Sequence, residues 1–95
     1  MLMLQFEWDE SKNQENIKKH GISFKEAISV FDDDDALTIY DALHSETEDR
    51  FLLIGFSAKQ NLLVVCHCYR LNDTVVRIIS ARKATKTEEK EYVRS

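Results

Sequence analysis

Three apolar runs joined by short polar turns dominate the second half of the chain. The runs at residues 50–57, 61–69 and 74–81 are rich in Val, Ile, Leu and Phe, which is the composition of β-strands. Connections this short join neighbouring strands in antiparallel order. With a fourth run at residues 36–40, the sequence predicts an antiparallel sheet of about four strands. Residues 6–8 are expected to form a short strand or an extended arm.

Two helices are predicted before the sheet and one after it. The first runs from a cap at Asp9 to a stop at Gly21, because these residue types favour the two ends of a helix. Ser23 begins the second helix with a capping box. Thr85 begins a short C-terminal helix in the same way, and that helix ends near Tyr92. This order of elements predicts an α+β fold.

The composition limits the class of protein. The 95 residues contain no Pro and two Gly, and 43% of them are hydrophobic. A chain of this length buries one core and is too short for two, so residues 1–95 are expected to be a single domain. No apolar run approaches the roughly 20 residues of a membrane span, and the start of the chain lacks the features of a signal peptide. We therefore expect a cytoplasmic protein with no membrane contact.

The two cysteines, Cys66 and Cys68, fall on one face of a predicted strand. Neighbouring cysteines on one strand rarely reach disulfide geometry, so both are expected to be reduced packing residues. A metal site would need a second pair of ligands, and the sequence around His67 offers none. We therefore expect neither a metal nor a cofactor.

Charge divides the chain into an acidic half and a basic half. Residues 1–49 carry four Lys or Arg and thirteen Asp or Glu, whereas residues 50–95 carry nine and four. The consecutive aspartates at 32–35 lack the spacing of a calcium loop and are expected to form a solvated turn. The basic half is suited to a polyanion, and the acidic half to a basic partner or to solvent.

Two arginines interrupt the last apolar run and provide the strongest functional signal. A guanidinium group is rarely buried unpaired, so Arg77 and Arg82 must reach solvent, a carboxylate or an anionic ligand. Strict alternation places them on opposite faces, with Arg77 on the side of Ile79 and Arg82 on the side of Ser80. Either a bulge near Ser80 redirects the end of the strand, or the two arginines act from different sides of it.

Three motifs, taken in their order and spacing, resemble one known family. They are Lys19-His20-Gly21, the F-x-E-A-x-x-V-F pattern of residues 24–31 and the R-I-x-S-A-R-x-A-T pattern of residues 77–85. The match extends from residue 6 to about residue 92 and includes Trp8-Asp9, Glu48-x-Arg50 and Tyr92. On these residues the chain resembles the BrnT-like toxins of bacterial type II toxin-antitoxin systems.

This resemblance implies a RelE-like fold and a ribonuclease that cuts RNA and arrests growth. It also implies a cognate, DNA-binding antitoxin of the BrnA-like kind, and contact with operator DNA only through that antitoxin. The family commonly has Glu-Arg where this chain has Glu88-Glu89, and Lys90 is the substitute if that Arg contributes to the active site. The alternatives are a catalytically weak homologue that binds antitoxin or operator, and a small protein-interaction domain.

Cleavage of RNA without a metal needs three kinds of group. One deprotonates the 2′-hydroxyl, one neutralises the phosphorane, and one protonates the leaving 5′-oxygen. Arginine binds phosphate oxygens bidentately and stays charged, so Arg77 and Arg82 are the candidate phosphate clamps. The alternative is that both arginines pair with acidic residues at the surface of the sheet.

The remaining candidates divide into proton carriers and RNA contacts. His67, His20 and Tyr92 are the candidates for proton transfer, since an imidazole titrates near neutral pH and a phenol can donate a proton or stack on a base. Their structural alternatives are, in turn, a histidine bonded within the sheet, a helix cap and a packing residue. For Arg50 the structural alternative is an ion pair with Glu48. The expected RNA contacts are Lys19, Arg50, Lys83 and Lys86.

Overall fold

The computed structural model describes residues 4–94 and shows a five-stranded sheet with helices on both faces. The strands are β1 (Gln5–Glu7), β2 (Leu37–Tyr40), β3 (Arg50–Phe56), β4 (Leu62–Arg70) and β5 (Val75–Lys83). The helices are α1 (Glu10–His20), α2 (Phe24–Ile28) and α3 (Lys86–Arg94), with 3₁₀ turns at Ser29–Asp32 and Ala42–His44. Across the sheet the order of the strands is β1-β5-β4-β3-β2.

The predicted antiparallel strands are confirmed, and a fifth strand makes the sheet mixed. β2 to β5 begin and end within two residues of their expected positions. β1, expected to be a strand or an arm, pairs in parallel with β5 and places Glu7 opposite Arg77. The expectation of a wholly antiparallel sheet of about four strands is therefore wrong. A run of three residues is too short to show strand periodicity in the sequence.

The helices begin and end where the capping residues predict, but the second is short. The Asp9 carboxylate accepts a backbone hydrogen bond in the first turn at 2.9 Å, and Gly21 ends α1 with a left-handed φ of 72°. α2 begins after Ser23 and has five residues. At its end the Ser29 hydroxyl donates a hydrogen bond to the Glu26 carbonyl at 2.6 Å, and this bond interrupts the α-helical pattern. Two N-terminal helices are present as expected, but the second passes into a 3₁₀ turn at Ser29 instead of continuing as an α-helix to the run of aspartates. Within residues 4–94, no helix has the length and hydrophobicity to cross a bilayer.

One face of the sheet, here called the helix face, packs against α1 and α2 and holds the main core. Its buried side chains come from three strands and from the helical segment: Leu53, Leu63, Val65, Val76, Ile78, Ala81, Ile22, Phe24, Ala27 and Val30. Trp8 and Phe31 pack against this cluster. On the other face Cys66 and Cys68 are buried and free, as expected for reduced packing residues.

The side chain of Asn16 joins α1 to β5. It is 6% exposed. Its Nδ2 donates to the carbonyls of Ile22 and Ala81, each at 2.8 Å, and its Oδ1 accepts from Ala81 N at 3.1 Å. β1 pairs with β5 only as far as Arg77. Asn16 therefore takes the place of a neighbouring strand along the edge of β5 beyond that point.

Candidate active site

A bulge in β5 places Arg77 and Arg82 on the same face of the sheet. The register of β5 against β4 shifts at Ile79, so that Arg77 lies opposite Cys68 and Arg82 lies opposite Val64. Cys68 and Val64 are four residues apart and share one face, because side chains alternate along a strand. Of the two possibilities that the sequence leaves open, the bulge is confirmed. We call this side of the sheet, opposite to the helix face, the arginine face.

Arg77 is held by a carboxylate from β1. Its Nη1 donates to Glu7 Oε2 at 2.7 Å, and the same oxygen lies 3.7 Å from Arg70 Nε. Glu7 raises the pKa of Arg77 above its ordinary value. The Arg77 side chain is 34% exposed, so an anion can still reach its guanidinium group.

Arg82 is bound bidentately by the first turn of α3. Its Nη1 and Nη2 donate to the two carboxylate oxygens of Glu88 at 2.7 and 2.8 Å. Glu88 also accepts a hydrogen bond from Thr85 N at 2.8 Å, so the predicted capping box exists. The paired guanidinium lowers the pKa of Glu88 to about 2, because a forked ion pair favours the charged carboxylate. The same carboxylate therefore caps α3 and fastens it to β5.

Tyr92 fixes the next turn of α3 through polar and ring contacts. Its Oη donates to Asp33 Oδ2 at 2.8 Å, and its ring meets Phe56 edge-on with centroids 5.5 Å apart. Gly55 leaves room for this contact, since a Cβ there would lie 2.9 Å from the same Asp33 oxygen. Asp33 raises the pKa of Tyr92 to about 12, so the phenol is protonated at neutral pH. None of the nine residues of α3 is buried, so the Glu88 and Tyr92 contacts are among those that hold this helix against the sheet.

Arg50 completes the arginine face from β3. It lies opposite Cys68, which in turn lies opposite Arg77, so the Cα atoms of the two arginines are about 10 Å apart. The expected pair with Glu48 is present, with Arg50 Nη2 3.6 Å from Glu48 Oε1. Arg50 Nε is buried and has no hydrogen-bond partner among the described residues.

His67 lies on the helix face and is not brought to the two arginines. It is fully buried, with Nδ1 3.1 Å from Val65 O and ring centroids of Phe31 and Tyr69 at 5.0 and 5.4 Å. Burial lowers the pKa of His67 below its ordinary value, so the imidazole is neutral. Alternation along β4 fixes this placement, because His67 stands one position from Cys68 on the opposite face.

His20 and Lys19 line a cleft where α1 meets the bulge of β5. The cleft holds about 230 Å³, and Lys12, Ile79 and Ser80 also line it. His20 is half-buried, whereas Lys19 is exposed. Ser80 stands between Arg77 and Arg82 along β5, so this cleft adjoins the strand that carries both arginines.

Lys83 and Lys86 lie at the end of β5 and the start of α3. Both side chains are exposed. Lys86 lines a shallow groove on the outer side of α3 together with Lys90 and Glu89. Glu89 therefore lies on a different side of the helix from Glu88, which binds Arg82.

Metal ligands are not grouped in the part of the chain that the structure describes. No three His, Cys, Asp or Glu side chains of residues 4–94 lie close enough to hold a metal ion. Beside the buried thiols of Cys66 and Cys68, the arginine face carries guanidinium groups, carboxylates and a phenol. These groups bind anions and transfer protons.

The Glu88–Arg82 pair predicts a pH-dependent contribution to stability. A carboxylate whose pKa falls from 4.5 to about 2 on folding stabilises the folded state above pH 4.5, and this contribution is lost as the pH falls toward 2. Because Arg82 is 39% exposed, we expect Glu88→Gln to lower the free energy of unfolding by only about 1 kcal/mol at pH 7. Urea unfolding at several pH values measures this, and a difference that persists unchanged below pH 3 would contradict the assignment.

Comparison with known proteins gives a consistent family and fold. A family model described as the ribonuclease toxin BrnT of a type II toxin-antitoxin system matches residues 8–88. Among solved structures, the Brucella abortus ribonuclease toxin BrnT is similar to this chain, with a TM-score of 0.65 and 24% sequence identity. The alignment covers 88% of this chain and 100% of that one. A search of curated proteins found no significant match.

Proposed function

The chain belongs to the BrnT family of ribonuclease toxins of type II toxin-antitoxin systems, and we propose that residues 1–95 form one toxin domain that cleaves RNA without a metal ion. Cleavage of cellular RNA in the cytoplasm would arrest growth. A cognate antitoxin would neutralise the toxin by binding to it, and operator DNA would be contacted through that antitoxin.

The observation that carries this proposal is the shared face of Arg77 and Arg82. Without the bulge at Ile79, one arginine would point into the core side and the other away from it. With the bulge, both guanidinium groups lie on one face of the sheet, where we propose that they bind the same RNA, and Arg50 stands across the same face. Guanidinium groups stay charged and can stabilise a phosphorane, whose negative charge is larger than that of the ground-state phosphodiester.

To bind a phosphate through its fork, Arg82 must exchange the bidentate Glu88 carboxylate for that phosphate, whereas the partly exposed Arg77 can bind an anion beside Glu7. In the free protein Arg77 forms an ion pair with Glu7, and Arg82 forms one with Glu88. These ion pairs hold both guanidinium groups in place. A phosphate presents two oxygens in the same forked geometry as a carboxylate. Binding of RNA at Arg82 would therefore release Glu88 and loosen α3.

Tyr92 and His20 are the proton carriers that this geometry favours. Tyr92 is one helical turn from Glu88 and keeps its proton because Asp33 raises its pKa to about 12. Its O–H donates to Asp33, so we propose that RNA must displace this hydrogen bond before Tyr92 gives its proton to the leaving 5′-oxygen. His20 is the half-buried imidazole in the cleft beside Ser80, and we assign to it the deprotonation of the 2′-hydroxyl. His67 is enclosed on the other face, so we give it no contact with RNA.

Lys19 and Lys83 are proposed to hold the phosphates that flank the cut, and Lys86, in the outer groove of α3, is proposed to hold a more distant one. All three are exposed and stand around β5 at its cleft and at its end. Contacts of this kind position the strand and carry no sequence preference. The antitoxin is then expected to cover the arginine face, because a charged active site must be screened when the toxin is neutralised.

A catalytically weak homologue is the second candidate, and its sequence basis is Glu89. The position of that residue weakens this alternative, since Glu89 lines the outer groove of α3 while Glu88 and Tyr92 contact the sheet side. A family Arg at this position would not replace either contact. Lys90 lies in the same outer groove.

Inducible expression tests the proposal in cells. We expect the wild-type chain to arrest growth, and co-expression of the antitoxin encoded by the adjacent reading frame to restore it. The doubly substituted chain Arg77→Ala, Arg82→Ala is the control for the burden of expression. Normal growth with soluble, folded wild-type protein at the same level would contradict the toxin assignment and favour the weak homologue.

A further inference from the structure

The two edges of the sheet are built differently. One edge consists of the three-residue β1 and, beyond it, the end of β5. Glu7 places a charge on β1, and Asn16 occupies the backbone N–H and C=O groups of Ala81 on β5. Short strands, charges and covering groups protect a sheet edge against pairing with another chain. This edge is therefore poorly suited to a further strand.

The opposite edge, β2, is also short but carries no charge within the strand. The strand Leu37–Tyr40 contains no charged residue, and its last three residues are exposed. Within residues 4–94, no strand pairs with its outer side. An uncharged edge strand of β-branched and aromatic residues is a ready template for the addition of another strand.

The hydrogen-bond register shows which backbone groups this edge offers. Asp41 N donates to Arg50 O at 2.9 Å, so position 41 and, by alternation, Ile39 bond toward β3. The N–H and C=O groups of Thr38 and Tyr40 therefore point away from the sheet. An added strand can form about four main-chain hydrogen bonds with these two residues.

Negative charge flanks the edge at both ends. Asp34 and Asp35 precede β2, and Glu46 and Asp49 follow it in the connection to β3. All four are exposed. A field of this sign attracts a segment that carries Lys or Arg and repels an acidic one.

We propose that the β2 edge binds an extended, basic segment of the antitoxin, which joins the sheet as an additional strand. This inference rests on the partnership with an antitoxin proposed above. Main-chain bonds to Thr38 and Tyr40 provide affinity, and cationic residues at the ends of the segment meet the acidic flanks. β2 lies three strands from β5, so a different part of the antitoxin covers Arg77 and Arg82.

A second copy of this chain is a poor occupant of the same edge. Antiparallel pairing of two β2 strands would bring Asp35 of one copy toward the acidic connection after β2 in the other. Parallel pairing would place Asp35 of one copy beside Asp35 of the other, and Asp41 of one copy beside Asp41 of the other. Like charges in such positions oppose pairing, whereas a basic segment neutralises both flanks.

Amide hydrogen exchange tests the proposal with the two full-length chains. The toxin is co-expressed with the product of the adjacent antitoxin gene, and exchange is compared between the complex and the toxin refolded alone. We expect the amides of Thr38 and Tyr40 to exchange at least tenfold more slowly in the complex, with a much smaller change at Ile39, whose N–H already bonds to β3.

Substitutions then separate the backbone contribution from the charge contribution. Thr38→Pro removes one outward N–H and is expected to weaken the complex about tenfold, whereas Thr38→Ala keeps that N–H and is the matched control. Asp34→Asn with Asp35→Asn is expected to weaken the complex about threefold to tenfold at low salt and little at high salt. If Thr38→Pro fails to fold, the salt-dependent effect of Asp34→Asn with Asp35→Asn still tests the proposal.

The outcomes distinguish this inference from the proposed function. If no antitoxin co-purifies with the wild-type chain, the partnership fails and the inference fails with it. If the complex forms but Thr38 and Tyr40 exchange as fast as in the free toxin, only the inference is overturned. A toxin that dimerises through β2 on its own would also overturn it.

Discussion

Replacing Arg82 with Ala is expected to reduce RNA cleavage by about 10²- to 10³-fold, because it removes a charged contact that strengthens as the phosphorane forms. Arg77→Ala is expected to have an effect of the same order. In both variants kcat should fall more than the affinity for RNA. Initial rates on a defined RNA, together with circular dichroism of each variant, measure the effect and establish that the fold is retained.

The ion pair of Arg82 requires its own control. Arg82→Ala leaves the Glu88 carboxylate without its guanidinium partner, so a loss of activity could come from a displaced α3. The double variant Arg82→Ala, Glu88→Gln removes that charge as well and should be as inactive as the single variant. Arg94→Ala changes an exposed arginine of α3 and should leave the rate unchanged. A folded Arg82→Ala variant with the wild-type rate would remove Arg82 from the active site.

Asn16→Ala is expected to destabilise the protein by about 2–4 kcal/mol, since it leaves three backbone groups without hydrogen bonds. These are the carbonyls of Ile22 and Ala81 and the N–H of Ala81. The last two adjoin the bulge that orients Arg82, so the variant should also lose activity at temperatures where it remains folded. Urea unfolding at neutral pH gives the free-energy difference.

Gln14→Ala is the matched control for Asn16→Ala. Gln14 lies on the same helix, is exposed and bonds only to the Glu10 side chain among the described contacts. Its replacement should change the free energy of unfolding by less than about 0.5 kcal/mol. If Asn16→Ala costs as little as this control, Asn16 does not hold β5 in place.

Much of the fold follows from local sequence, and the exceptions have physical reasons. Strands β2 to β5 are long enough for their composition and short turns to identify them, and the caps of α1 and α3 are side-chain signals within one turn. β1 has three residues and gains its strand conformation from pairing with β5, which is about 70 residues away in the chain. A contact of that range leaves no local pattern.

The candidate site could be predicted in its residue types but not in its arrangement. Alternation alone separates Arg77 from Arg82. The backbone of Ala81, next to the bulge that brings them to one face, is bonded by Asn16, which is 65 residues away in the chain. The buried residues of α1 are Asn13 and Asn16, and no residue next to Asn16 in the sequence indicates that its partner is Ala81. His67 shows the converse case, because its titration range is suited to catalysis while its strand position sends it into the core.

The most direct test of the proposed chemistry is RNA cleavage by the purified chain in excess chelator, with the ends of the products identified. The assay is run on RNA alone and on RNA bound to ribosomes. Cleavage by Arg77, Arg82 and proton-transferring side chains predicts undiminished activity and products that end in a 2′,3′-cyclic phosphate or a 3′-phosphate. Activity that disappears with the chelator, and that leaves a 3′-hydroxyl when metal is present, would contradict the proposed mechanism.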